Sequence, residues 1–134
     1  MMAANPVFYK CPGCSGTVMV MNPDMCMAPS PEDLVVSCAG NAMERLSEQT
    51  ADFAKEKHVP IVEKAEGGIK VTVGSTPHPM AEEHYIMWIG VLAGDDFMLH
   101  YLNPGDAPEA FFPCPDTDVK AFECCNVHNL WVNR

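Results

Sequence analysis

At 134 residues, 48% of them apolar, the chain has material for one modest domain, or for one of about 90 residues carrying a small metal- or disulfide-braced appendage. Eighteen acidic against eight basic side chains give a formal charge of -10, and no Lys/Arg cluster offsets it, so nucleic acid is disfavoured as a partner. No apolar run approaches the roughly 20 residues of a membrane span, and no basic flank leads into an apolar stretch at the N-terminus, so a cytoplasmic protein without a membrane anchor is expected.

In chain order, 11-CPGC-14 comes first. A C-x-x-C turn brings two sulfurs close enough to grip one tetrahedral metal, with backbone N–H groups free to hydrogen-bond the thiolates. Cys26 and Cys38 are the other thiols nearby, so the first 38 residues hold four of the seven cysteines. The alternative is a redox-active or metal-free pair, because no second C-x-x-C follows; a thioredoxin-type motif lacks the βαβ pattern it needs. Residues 21–33 are rich in Pro and Asp and read as a loop. Residues 41–58 have little strand character and read as a link between two units. The boundary falls near residue 46, giving units 1–45 and 46–134.

Beyond it, the segments 59–64, 68–73, 84–92, 97–102, 109–112, 119–125 and 130–132 are strand-like, several alternating apolar and polar with period two. Gly67-Gly68, Gly94-Asp95-Asp96 and Asn103-Pro104-Gly105-Asp106 supply turns between them. Six or seven short strands at this spacing predict an all-β fold, a β-sandwich. An odd number of cysteines without a secretion signal argues against a disulfide framework. Thiols then read as metal ligands or as small buried apolar groups, the latter for Cys114 and Cys124.

All five histidines lie at or after position 58. His58 ends the linker in 55-KEKHVP-60, His78 sits between prolines in 76-TPHPM-80, His84 opens the strand HYIMWI, and 125-CNVH-128 pairs Cys125 with His128. A lone histidine is more often a satisfied surface or core residue than a ligand. Spacing alone does not say that these converge.

The run from 48-EQTADFAKEKHVPIVEK-64 through 76-TPHPMAEEHYIMWIGVL-92, 103-NPGDAPEAFF-112 and 123-ECCNVHNLW-131 resembles the superoxide reductase family, specifically the two-domain desulfoferrodoxins. The resemblance covers residues 46 to 132 without a large gap. It implies an immunoglobulin-like β-sandwich with a square-pyramidal iron, Fe(II)/Fe(III), held by His58, His78, His84 and His128 as equatorial ligands and Cys125 as the axial thiolate. The activity it implies is one-electron reduction of superoxide to hydrogen peroxide, with electrons from a rubredoxin-like donor, in a homodimer or higher homo-oligomer. Lys57 is carried over as the cation that attracts superoxide, and Glu56 as a resting-state ligand or gate. N–H groups after Cys125 are expected to hydrogen-bond its sulfur. Cys124 should point to the opposite face from Cys125, and His100 matches no ligand position.

The resemblance also implies a small desulforedoxin-like domain over residues 1–45, in which a C-x-x-C pair and two adjacent cysteines hold a second iron. Here 11-CPGC-14 fits, but 38-CAGNAM-43 has Ala39 where the second adjacent cysteine belongs. Three outcomes stay open: Cys11, Cys14, Cys26 and Cys38 hold iron, the same set holds zinc, or the domain is metal-free. Against the enzyme stand a non-catalytic electron-transfer or metal-binding protein and a structural zinc module.

Overall fold

The computed structural model describes residues 5–26, 33–51 and 57–133, and it is all-β apart from one 3-10 turn, Pro23–Met25. Contacts divide the chain into two compact units, Met1–Leu46 and Ser47–Arg134. Among the described residues no helix is long and apolar enough to cross a membrane.

The N-terminal unit is built on β1 (Val7–Lys10), which pairs antiparallel with β2 (Thr17–Val20). Two further two-residue strands, β3 (Ser37–Cys38) and β4 (Asn41–Ala42), form a hairpin, and β5 (Glu44–Arg45) returns to the free side of β1. The Leu46 N–H continues that pairing onto the Phe8 carbonyl at 2.8 Å. The segment read as a link from residue 41 therefore begins as sheet. Strands this short carry too few residues for a period to register, and they form because a neighbouring strand satisfies their backbone groups.

Among the described residues the larger unit has seven strands: β6 (Pro60–Ala65), β7 (Gly68–Val73), β8 (Ile86–Ala93), β9 (Asp96–Tyr101), β10 (Glu109–Phe112), β11 (Lys120–Cys125) and β12 (Asn129–Val132). They make a three-stranded sheet in the order β10-β7-β6 and a four-stranded sheet in the order β12-β11-β8-β9, with every pairing antiparallel. This is the expected sandwich. In β7, Ile69, Val71 and Val73 are fully buried whereas Lys70 is exposed, the alternation that the pleat imposes on a strand with one face in the core. Ile86, Ile89 and Val91 of β8 and Ala121 and Cys125 of β11 complete the inner layer. Each fully buried Ile or Val contributes about 1.5–3 kcal/mol relative to exposure.

One turn and one strand start are displaced from expectation, by one and two residues respectively. The β6–β7 hairpin turns at Glu66-Gly67, with Ala65 opposite Gly68 and Gly67 at φ 79°, so Gly68 is already strand. Gly68 is required there for a different reason: a Cβ would stand 2.1 Å from the Phe112 carbonyl oxygen of the adjacent strand. Strand β8 starts at Ile86 and not at His84, which lies in a tight turn where Ala81 and His84 exchange both backbone hydrogen bonds at 3.0 Å.

Candidate metal centre

The predicted ligands are delivered by loops at one end of the sandwich. His58 directly precedes β6, His78 and His84 lie in the β7–β8 connection, and Cys125 and His128 flank the turn of the β11–β12 hairpin. That hairpin pairs Cys125 with Asn129 across the loop Asn126-Val127-His128. Asn129 takes φ 67°, a left-handed conformation that Asn tolerates better than most residues. A three-residue loop closed by a left-handed residue is a common hairpin form, and here it sets Cys125 and His128 at the same tip.

The four imidazoles form a ring. Successive centroids are 4.8 Å apart for His58 and His78, 4.8 Å for His78 and His84, 5.0 Å for His84 and His128, and 4.7 Å for His128 and His58, each pair edge-on at 70–82°. The 6.4 Å separation of His58 and His84 across the ring makes it close to square. Ligand atoms of His58, His78, His84 and the Cys125 thiol all lie within 4.8 Å of one another. His128 stands at the exposed rim, outside that tightest set, with its Nδ1 3.0 Å from His58 Nε2.

The nitrogens at this cluster suit a metal. Nε2 of both His78 and His84 is buried with no hydrogen-bond partner, an arrangement that costs free energy unless something else occupies the lone pair. His78 Nδ1 is 2.7 Å from the Pro79 carbonyl and donates to it, fixing the tautomer that leaves Nε2 unprotonated. Desolvation lowers the His78 pKa to about 4, outweighing the Pro79 bond, and desolvation also lowers His84, with His128 and His58 adding like-charge repulsion. Both rings are therefore neutral at physiological pH, the form that binds metal. Imidazoles and one thiolate together form a donor set suited to iron.

Several supporting residues carry no signal that sequence reasoning used. The Trp131 ring stacks on His58, centroids 4.7 Å apart and 20° from parallel, and its Nε1 donates to the His128 carbonyl at 3.0 Å. Gln49 Nε2 donates to the carbonyls of His128 and Leu130 at 2.9 and 3.0 Å, from a position about 80 residues away in sequence. Asn126 ties the two ligand loops together: its Oδ1 accepts from the Tyr85 N–H at 2.9 Å, and its Nδ2 donates to the Glu83 carbonyl at 3.3 Å. Its place inside 125-CNVH-128 was the one available hint. The Asn126 N–H donates to the Tyr85 carbonyl at 3.2 Å, a further link between the two ligand loops.

Cys124 and Cys125 are both fully buried, but only Cys125 belongs to the sandwich core, and the β11–β8 register shifts between them. Cys114 is buried, its thiol donating to the Asp116 carbonyl at 3.3 Å, and His100 is exposed on β9. Two residues before Cys125, Glu123 is fully buried with neither carboxylate oxygen hydrogen-bonded, and burial pushes its pKa well above the carboxylate range. Lys57 is half-buried and near enough to His84 for its charge to help depress that ring's pKa. Glu56 lies outside the described residues.

In the N-terminal unit the Cys14 thiol donates to the Cys11 carbonyl at 3.5 Å, and the neighbouring Cys14 and Cys38 push the Cys11 pKa up to about 12. The Cys26 thiol instead lies 3.8 Å from the Asn22 carbonyl oxygen, its hydrogen-bond acceptor, at the end of the 3-10 turn.

Fold and site together define a β-sandwich protein with a histidine- and cysteine-lined metal centre. Residues 50–134 match the desulfoferrodoxin family model. The chain is 46% identical over 123 residues to a desulfoferrodoxin of Desulfarculus baarsii, covering 92% of this chain and 91% of that one. It is 44% identical over 133 residues to a desulfoferrodoxin of Syntrophotalea carbinolica, covering 99% of both. The solved superoxide reductase of Treponema pallidum superposes with a TM-score of 0.75 at 30% identity, covering 97% of this chain and 98% of that one. The chain belongs to the desulfoferrodoxin family.

Proposed function

We propose that the protein is a superoxide reductase: one superoxide, one electron and two protons give one hydrogen peroxide at a single iron held by His58, His78, His84, His128 and Cys125. The observation that carries this reading is the near-square ring of four imidazoles with one buried thiol against it. Relatives named superoxide reductase support the substrate. Iron bound by these residues supplies a one-electron couple and a Lewis-acidic position for an anion.

The chain's residues then have distinct tasks. His78 and His84, held neutral by desolvation, bring no charge to the centre, so Cys125 is the anionic donor. A thiolate donor raises electron density on a bound metal, favouring electron transfer to an oxygen species. Trp131 covers one face of His58 and keeps solvent from it. Lys57 provides a local cation that draws in superoxide against the chain's formal charge of -10. Glu56 is assigned the role of a gate beside the open position. A small rubredoxin-like protein returns the electron, and residues 1–45 form a separate desulforedoxin-like domain. The active species is a homodimer or higher homo-oligomer.

The test is anaerobic loading with Fe(II), followed by a superoxide pulse. Oxidation to Fe(III) with a thiolate charge-transfer band, and one hydrogen peroxide per iron, is the expected result; Cys125→Ser abolishes the band. Iron-loaded protein that does not oxidise under superoxide refutes the reading.

A further inference from the structure

Of the candidate ligands, His128 is the one its own surroundings hold least. It stands at the exposed rim on a three-residue loop, outside the tightest set of donor atoms, whereas His58, His78 and Cys125 are buried. Its backbone is nevertheless gripped from two sides. The His128 carbonyl accepts from Gln49 Nε2 at 2.9 Å and from Trp131 Nε1 at 3.0 Å. A carbonyl oxygen has two lone pairs, and both are used. We propose that Gln49 is a positioning residue for the metal centre, fixing the backbone of His128 so that this fourth imidazole closes the ring, a role that rests on the ligand set of the proposed iron site.

The backbone puts Gln49 where this is possible. β12 is the outer strand of the order β12-β11-β8-β9, and Gln49 lies along its open side in a parallel bridge to Trp131. The bridge consists of the Gln49 N–H on the Leu130 carbonyl at 3.3 Å and the Val132 N–H on the Gln49 carbonyl at 2.8 Å. One residue earlier, Glu48 accepts from Lys120 Nζ through both carboxylate oxygens, at 2.9 and 2.8 Å, which ties the segment to β11 as well. From this anchored position Gln49 Nε2 spans the carbonyls of His128 and Leu130 at 2.9 and 3.0 Å. Both partners only accept, so the amide turns its NH2 group toward them and both N–H bonds are consumed. The two carbonyls flank Asn129, whose φ of 67° closes the hairpin loop. The amide thus clamps the peptide units on either side of the left-handed residue and fixes the direction in which His128 leaves the strand. Trp131 does not duplicate this. Its indole has a single N–H, which reaches the His128 carbonyl, and its ring is stacked on His58.

The test separates an effect through His128 from a general weakening of the hairpin. Gln49→Met removes both donors without adding charge, and Gln49→Glu, of the same shape as Gln, sets a carboxylate against two carbonyl oxygens; the backbone bridge survives in each. Iron(II) affinity of the full chain is measured by chelator competition in the wild type, both Gln49 variants, His128→Ala and the two double variants, with the EPR spectrum of each oxidised form. Gln49→Met is expected to weaken iron binding about tenfold, the low end for loss of a ligand's supporting bond because Trp131 keeps its own, and Gln49→Glu to weaken it more. The EPR spectrum shifts toward that of His128→Ala while the Cys125-dependent band persists. In the His128→Ala background neither substitution costs anything further, since a residue acting through His128 has nothing left to position. Losses that add in full to that of His128→Ala overturn the proposal, and so does wild-type affinity in Gln49→Met; either result leaves the ligand set standing. His128→Ala with wild-type affinity, or a wild type that holds no iron, overturns the proposal together with the iron reading. Gln49→Met decides the matter even if Gln49→Glu does not fold.

Discussion

Replacing Glu123 by Gln removes one titratable group from the buried part of β11 and changes almost no volume. Glu123 is fully buried, neither carboxylate oxygen is hydrogen-bonded, and burial holds its pKa well above the ordinary carboxylate value. In the unfolded chain the same group titrates at about 4.3. Above that pH the folded protein retains a proton that the unfolded chain has released, so the unfolded state binds fewer protons and stability falls as pH rises. The slope is about 1.4 kcal/mol per pH unit, starting above the unfolded pKa and ending where Glu123 ionises in the folded protein. Gln has no such term. Urea unfolding of iron-loaded wild type and Glu123→Gln across pH 5 to 8 therefore gives an advantage for the variant that widens with pH, with the m-value unchanged. Metal linkage is common to both proteins and cancels in the difference. Two stability curves separated by a constant would refute the reasoning, because they would mean that Glu123 gains no proton on folding.

Gly68→Ala should destabilise the larger unit by about 3 kcal/mol, the upper end of ordinary overpacking, since the new methyl meets the Phe112 backbone and not a movable side chain; a shift under about 0.5 kcal/mol in urea unfolding would contradict the close strand approach. Asn126→Ala removes both hydrogen bonds joining the loops of His84 and Cys125, and iron affinity measured by chelator competition should drop by about 10–100-fold while the fold persists. In metal-free protein, His78 stays neutral down to about 4 when folded but takes up a proton near the usual histidine value when unfolded, so stability falls as pH drops through that window. His78→Gln flattens this fall in an acid titration followed by circular dichroism. Lys57→Met should slow the superoxide reaction on the order of tenfold in pulse radiolysis and weaken its ionic-strength dependence, with iron content unaltered.

What the sequence determined alone is what a local pattern encodes. Ile69-Lys70-Val71-Thr72-Val73 alternates because a strand with one buried face must, and the strands Gly68–Val73 and Glu109–Phe112 run where that alternation placed them. Donor types are equally local, so four histidines and a C-x-x-H tip were visible as ligand chemistry before any geometry. Tertiary structure decided convergence. His58 and His128 are 70 positions apart in sequence and meet because the strands they flank end at the same edge of a closed sandwich. Gln49 is unreadable for the same reason, since its partners are carbonyls of a hairpin at the other end of the chain. Glu123 reads in sequence as a polar residue in a strand, and only the packing of two sheets strips it of water. In the N-terminal unit four thiols within 38 residues look equivalent on paper. The 3-10 turn at Pro23–Met25 directs Cys26 to a backbone carbonyl, because a thiol's direction follows from backbone angles that spacing does not encode.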